Sequence, residues 1–139
     1  MLLQSVIDRL KTQVPTLKAV GGSAEVEAAL QDVTIVPAAY VLLWSEKPYS
    51  NALVNATSQK VEVRFRVLLG IENHREATLH HGINDLETLK DAVTAAVLNW
   101  APEAGYDPCE YAGGQIYQLQ NPRLWWQAEF MTARYIRAI

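Results

Sequence analysis

Residues Gln59 to Glu72, QKVEVRFRVLLGIE, decide the fold. Val61, Val63, Phe65, Val67, Leu69 and Ile71 alternate with Glu62, Arg64, Arg66, Leu68 and Gly70. Alternation with period two places the first set on one face of a strand and the second set on the other. An apolar stripe of this length needs an amphipathic cover, and the flanking sequence supplies candidates for it.

The segment that follows, Asn73 to Gly82, is polar, holds His74, His80 and His81, and reads as a loop. Asn84 then reads as the cap of a helix from Asp85 to Trp100, with Glu87 three residues on completing a capping box. Its stripe of Leu86, Leu89, Val93, Ala96, Val97 and Trp100 suits the apolar face of the strand, while Glu87, Lys90, Asp91 and Thr94 face water. A second amphipathic helix is predicted from Leu2 to Val14, where Leu3, Val6, Ile7, Leu10 and Val14 recur at helical spacing until Pro15.

Between that helix and the central strand, Thr16 to Val20 is an edge strand or an extended connector. Ser23 caps a short helix to Leu30, with Glu25 and Glu27 near its positive end. Ile35 to Ser45 is a strand apolar on both faces, with Pro37 at its start, and Pro48 to Ser58 is a loop longer than a tight hairpin needs. Such loops carry contacts to partners, so this one is a candidate interaction arm. After the Asp85 helix, Pro102 to Gly114 is turn-rich, and Gln115 to Leu119 with Leu124 to Arg137 forms a terminal hairpin. In its second strand Trp126, Ala128, Phe130 and Thr132 share one face, and Trp125, Gln127, Glu129, Met131 and Ala133 the other. The phase slips at Arg134 to Ile136, which points to a bulge.

The fold class is therefore α+β: a single mixed or mostly antiparallel sheet of four to five strands, with two or three helices packed mainly on one face. At 139 residues the chain is read as one domain, 1–139, with one core.

Composition narrows the function classes. The net charge is −3, and the 12 Lys and Arg residues form no basic run, which disfavours specific nucleic-acid binding. One cysteine, Cys109, allows no intrachain disulfide and no cysteine-rich zinc site. MLLQSVIDRL gains charge too early for a signal peptide, and no apolar run reaches the length of a membrane span, so a reducing cytoplasm is expected.

No catalytic signature is present in the sequence. His74, His80 and His81 lack the carboxylate or thiolate spacing of a metal site, so no metal, cofactor or catalytic residue is assigned. Glu62, Arg64 and Arg66 form either a solvated face with cross-strand ion pairs or a subunit interface, where Arg is enriched. Of the adjacent Trp125 and Trp126, one belongs to the core, and the other is a lid on the outer face or an interface anchor.

The order and texture of these elements resemble one family, the tail terminator or tail completion proteins of tailed bacteriophages and prophages. The resemblance rests on VIDRLKTQVPTLKAVGG (6–22), VPAAYVLL (36–43) and VRFRVLLGIEN (63–73), then on LETLKDAVTAAVLNWAP (86–102), GGQIYQL (113–119) and LWWQAEFMTARYIR (124–137). It implies a non-enzymatic structural protein of the virion. Such a protein forms a ring, typically of six copies, on the end of the finished tail tube, where it stops polymerisation and offers the head-attachment surface. The implied partners are further copies of the chain, the tail tube protein and a head-completion or connector protein, with DNA passing through the channel unbound and no membrane involved. The implied location is the head–tail junction, reached from the host cytoplasm during assembly. The family offers no motif that assigns contact residues individually; the strand and loop pattern of this sequence points to Glu62, Arg64, Arg66, Trp125, Glu129, Tyr49, Asn51 and His80 as subunit or tube contacts. The alternatives are another head–tail connector component, or a small cytoplasmic α+β enzyme or ligand-binding protein that uses the His74, His80 and His81 loop with Cys109.

Overall fold

The computed structural model describes residues 2–31, 35–72, 79–120 and 123–138. The described elements run α1 (Leu2–Gln13), β1 (Ala19–Gly21), α2 (Ser23–Gln31), β2 (Ala38–Pro48), β3 (Thr57–Glu72), α3 (Leu79–Val97), β4 (Glu110–Gln120) and β5 (Arg123–Ala138). The strands make one five-stranded sheet in the order β1-β2-β3-β5-β4, with β1 parallel to β2 and the remaining pairs antiparallel. This is the α+β class expected from the alternation of β3.

β3 is central because both of its faces have something to bury. Its odd-numbered residues Val61 to Ile71 are buried, and α1 and α3 lie over them. α1 contributes Val6, Ile7 and Leu10, α3 contributes Leu89, Val93 and Val97, and β5 adds Phe130, stacked on Phe65 with ring centroids 5.7 Å apart. Each such side chain taken from water contributes about 1.5–3 kcal/mol, so this layer dominates the stability of the fold.

Among the described residues the other face is covered at one end only. A parallel β1–β2 pair requires a crossover, and α2 supplies it on the side of the sheet opposite α1 and α3. There Ala29 of α2 packs with Ala38, Tyr40, Leu68 and Trp125 in a second, smaller cluster. Gly70 belongs to this layer for lack of a side chain: a Cβ at Gly70 would stand 2.6 Å from the Trp125 ring.

Several expected boundaries move. Residues 79–82, expected in a loop, are helical, and α3 begins at Leu79, six residues before Asp85, so Asn84 lies inside the helix and not at the position that precedes it. Leu79, Ile83 and Leu86 stand at i, i+4 and i+7, a helical spacing interrupted by the polar His80, His81 and Gly82, and helix propagation past a nucleus costs little. The rest of the expected histidine loop, including His74, lies outside the described residues. α3 ends at Val97, three residues before Trp100, and Asn99 follows with φ 58°, the left-handed geometry that asparagine tolerates at a helix end.

β2 starts at Ala38, directly after Pro37, and runs on to Pro48, further than expected. It is buried from Ala38 to Val41 and exposed beyond Leu42, because the ladder to β3 continues past the helices that cover the sheet. β4 starts at Glu110, within the stretch expected to be turns. The slip expected at Arg134 to Ile136 is absent: the β3–β5 register runs unbroken from Thr57 opposite Ala138 to Glu72 opposite Arg123. The register shifts fall instead on β2, between Leu43 and Ser45, and on β4, between Tyr111 and Gly113 and between Ile116 and Gln118.

Candidate functional site

The uncovered part of the outer sheet face is a planar charged network. Arg66 of β3 stands directly opposite Glu129 of β5, and Arg64 is one outward position further along β3. Arg66 Nε donates to Glu129 Oε1 at 2.9 Å, and Arg66 Nη1 donates to Gln127 Oε1 at 3.0 Å. Arg64 Nη1 donates to Glu129 Oε2 at 2.9 Å, and Arg64 Nε donates to Glu62 Oε2 at 3.1 Å. Both Glu129 oxygens are thus held by cations, as the fixed fork of guanidinium donors allows. The Arg66 guanidinium also lies over the indole of Trp44, 3.3 Å from the ring centroid. Trp44 reaches this position because the β2 register shift falls between Leu43 and Ser45 and inserts it as an extra residue.

The electrostatics follow from this geometry. Partial desolvation alone would raise the Glu129 carboxyl, but the hydrogen bonds from Arg64 and Arg66 outweigh it and hold the group below the usual carboxylate range. The Arg64 guanidinium is held above its ordinary value by its bonds to Glu129 and Glu62. Each of these two shifts favours the charged form of its group, so Arg64 and Glu129 hold each other as an ion pair. Beside it, Arg66, Gln127 and Glu129 with Gly113 and Gly114 of β4 line a polar hollow of about 150 Å³.

The remaining predicted residues lie at three other places. Trp125 shares the outer face but is 2% exposed, lying over Gly70 with the Tyr40 ring at 5.9 Å. Trp126 points to the other face, against the main core, with the Lys90 ammonium 4.1 Å from its ring centroid. Tyr49 and Asn51 belong to the connection between β2 and β3. There Asn51 Nδ2 donates to the Leu53 and Ala56 carbonyls at 2.8 Å each, and its Oδ1 accepts from the amides of Leu53 and Ser58. Tyr49 carries Lys47 and Lys60 against its ring at 6.0 and 5.5 Å. His80 and His81 lie in the first turn of α3, after the far end of β3.

Cys109 is 2% exposed, and burial pushes its thiol up to about 12, with the Thr132 hydroxyl offsetting part of the rise. At neutral pH it is a protonated thiol inside the core, without the thiolate a nucleophile needs. Among the described residues no three His, Cys, Asp or Glu side chains come together as a metal site. Trp44 and Gln127 are the members of the outer network that sequence reasoning missed. Gln127 carries a signal, since it shares a face with Glu129, whereas Trp44 depends on the register shift.

A mixed sheet with α1 and α3 on one face and α2 on the other, a charged face whose groups bind one another, and a core thiol define a small α+β protein. The chain belongs to the phage tail terminator protein family, whose model matches residues 1–139. It is thus a structural component of a phage tail. No curated protein matches the chain. Among the described residues no helix is long and apolar enough to cross a membrane.

Proposed function

We propose that the chain, acting as one domain, forms a closed ring of about six copies on the end of the finished tail tube, arrests polymerisation there and presents the surface to which the head attaches. The observation that carries this reading is the outer sheet face. Glu62, Arg64, Arg66 and Glu129 neutralise one another in the plane of the sheet, and Trp44 lies half exposed beside them, against Arg66. Charges already paired within one subunit can be covered by another without leaving an uncompensated ion, and Arg and Trp are enriched at interface centres. On this reading Trp125 acts from within, holding the face flat, while Tyr49, Asn51 and His80 serve at the two ends of the subunit. A net charge of −3 suits a channel through which DNA slides without sticking. The head–tail junction is the corresponding place in the virion.

Two experiments test this. Purified protein added to polymerising tail tube subunits should fix tube length when seen by electron microscopy, and tubes that lengthen at an unchanged rate would refute the capping role. The double substitution Arg64→Glu with Arg66→Glu should weaken assembly while the monomer stays folded, and unchanged assembly would remove this face from the contact.

A further inference from the structure

The β2–β3 loop and a cleft beside α3 lie at opposite ends of β3, about 50 Å apart at ~3.3 Å per residue. At one end, the four Asn51 hydrogen bonds and the pairing of Ala52 N with Ser58 O at 3.0 Å fix a loop that displays Leu53 and Val54, the latter 95% exposed. At the other end, Val36, Pro37, Ile71, Leu89 and Ala92 line a cleft of about 480 Å³, within the size range of clefts that bury an apolar ligand. The loop base carries Lys47 and Lys60, and the cleft carries Asp85, while Glu72 at its edge already holds Arg123 Nε at 3.3 Å, so Asp85 makes the two ends complementary in charge as well as in polarity. We infer that Leu53 and Val54 of one copy seat in this cleft of the next copy.

The inference rests on the ring reading above and gives it a chemical contact. Knob and cleft are different patches of one chain, so the contact is heterologous: each copy offers one of each, and the series ends when the ring closes. A knob ordered in advance by Asn51 lowers the conformational cost of docking. The apolar lining and Asp85 of the cleft match the loop on both counts.

Sedimentation velocity on Val54→Asp, on Thr88→Arg, and on their equal mixture tests this contact. Thr88 is an exposed residue of the cleft, and a cation there both fills the space and repels the lysines of the loop. Both substitutions are at exposed positions, so unchanged thermal melts serve as the folding control. Each variant alone should fall from the wild-type assembly to the monomer. Mixed, they should form a species of two chains, because the intact knob of Thr88→Arg enters the intact cleft of Val54→Asp and growth stops there. A variant that assembles like wild type, or a mixture holding monomers only, overturns the inference while the ring stands. A wild-type protein that is monomeric at every concentration overturns the contact and the free ring together.

Discussion

Arg66 binds three partners at once: Glu129, Gln127 and the face of Trp44. Because Glu129 is held below its usual range when folded, its contribution to stability has a definite sign with pH. It is present above the unfolded-state value, about 4.3, and is lost as pH falls through the lower folded value. Wild type should therefore unfold at higher denaturant concentration than Glu129→Gln at pH 7, with the gap narrowing from about pH 5 downward; a gap that does not change with pH would deny the pairing. Gly70 makes a second case. A methyl group there meets the Trp125 ring at 2.6 Å, so Gly70→Ala should cost about 1–3 kcal/mol in chemical denaturation by forcing the indole off its seat. Cys109 should resist alkylation at pH 8 until the chain unfolds, and rapid labelling of native protein would contradict its place in the core.

At the scale of elements, legibility followed the strength of the period. β3, α1 and the body of α3 were plain in the sequence because their apolar residues recur at two or at three to four over many positions. The start of α3 was hidden because His80, His81 and Gly82 carry no stripe, and glycine costs about 1 kcal/mol in a helix interior. β4 was shortened because Gly113 and Gly114 look like a turn. In the structure Gly113 takes φ 139° at a register shift, and a Cβ on Gly114 would meet the Tyr111 hydroxyl at 2.6 Å and the Trp126 ring at 2.7 Å. Those register shifts also break the regularity of an edge strand, a means of discouraging unwanted pairing along it. In the β2–β3 loop the sequence shows only Ser, Asn and Pro density, whereas the structure shows four bonds to one side chain. Asn51→Ala should raise amide exchange across residues 50–58 and leave the β3–β5 ladder protected; unchanged exchange in the loop would mean that Asn51 does not hold it.

At the scale of the molecule, the two faces of one sheet do different work. The inner face makes the core with α1 and α3, and this division could be read from the alternation of β3 alone. The outer face divides again, into a buried end under α2 and an open charged end, and that division was not legible. It depends on the parallel β1–β2 crossover and on the position of Trp44, both of which are long-range facts. Of the eight residues first assigned to contacts, Glu62, Arg64, Arg66 and Glu129 meet in one network, Trp125 is enclosed, and Tyr49, Asn51 and His80 belong to the ends of the subunit. Patches of different chemistry on different sides of one chain are what a ring subunit needs.

The most direct test of the ring is the mass of the largest discrete species of the wild-type protein in sedimentation velocity over a wide concentration range. The account predicts a closed species near six times the 15.5 kDa chain mass, with no continuing growth as concentration rises. A protein that stays monomeric throughout, or one that grows without limit, would contradict it.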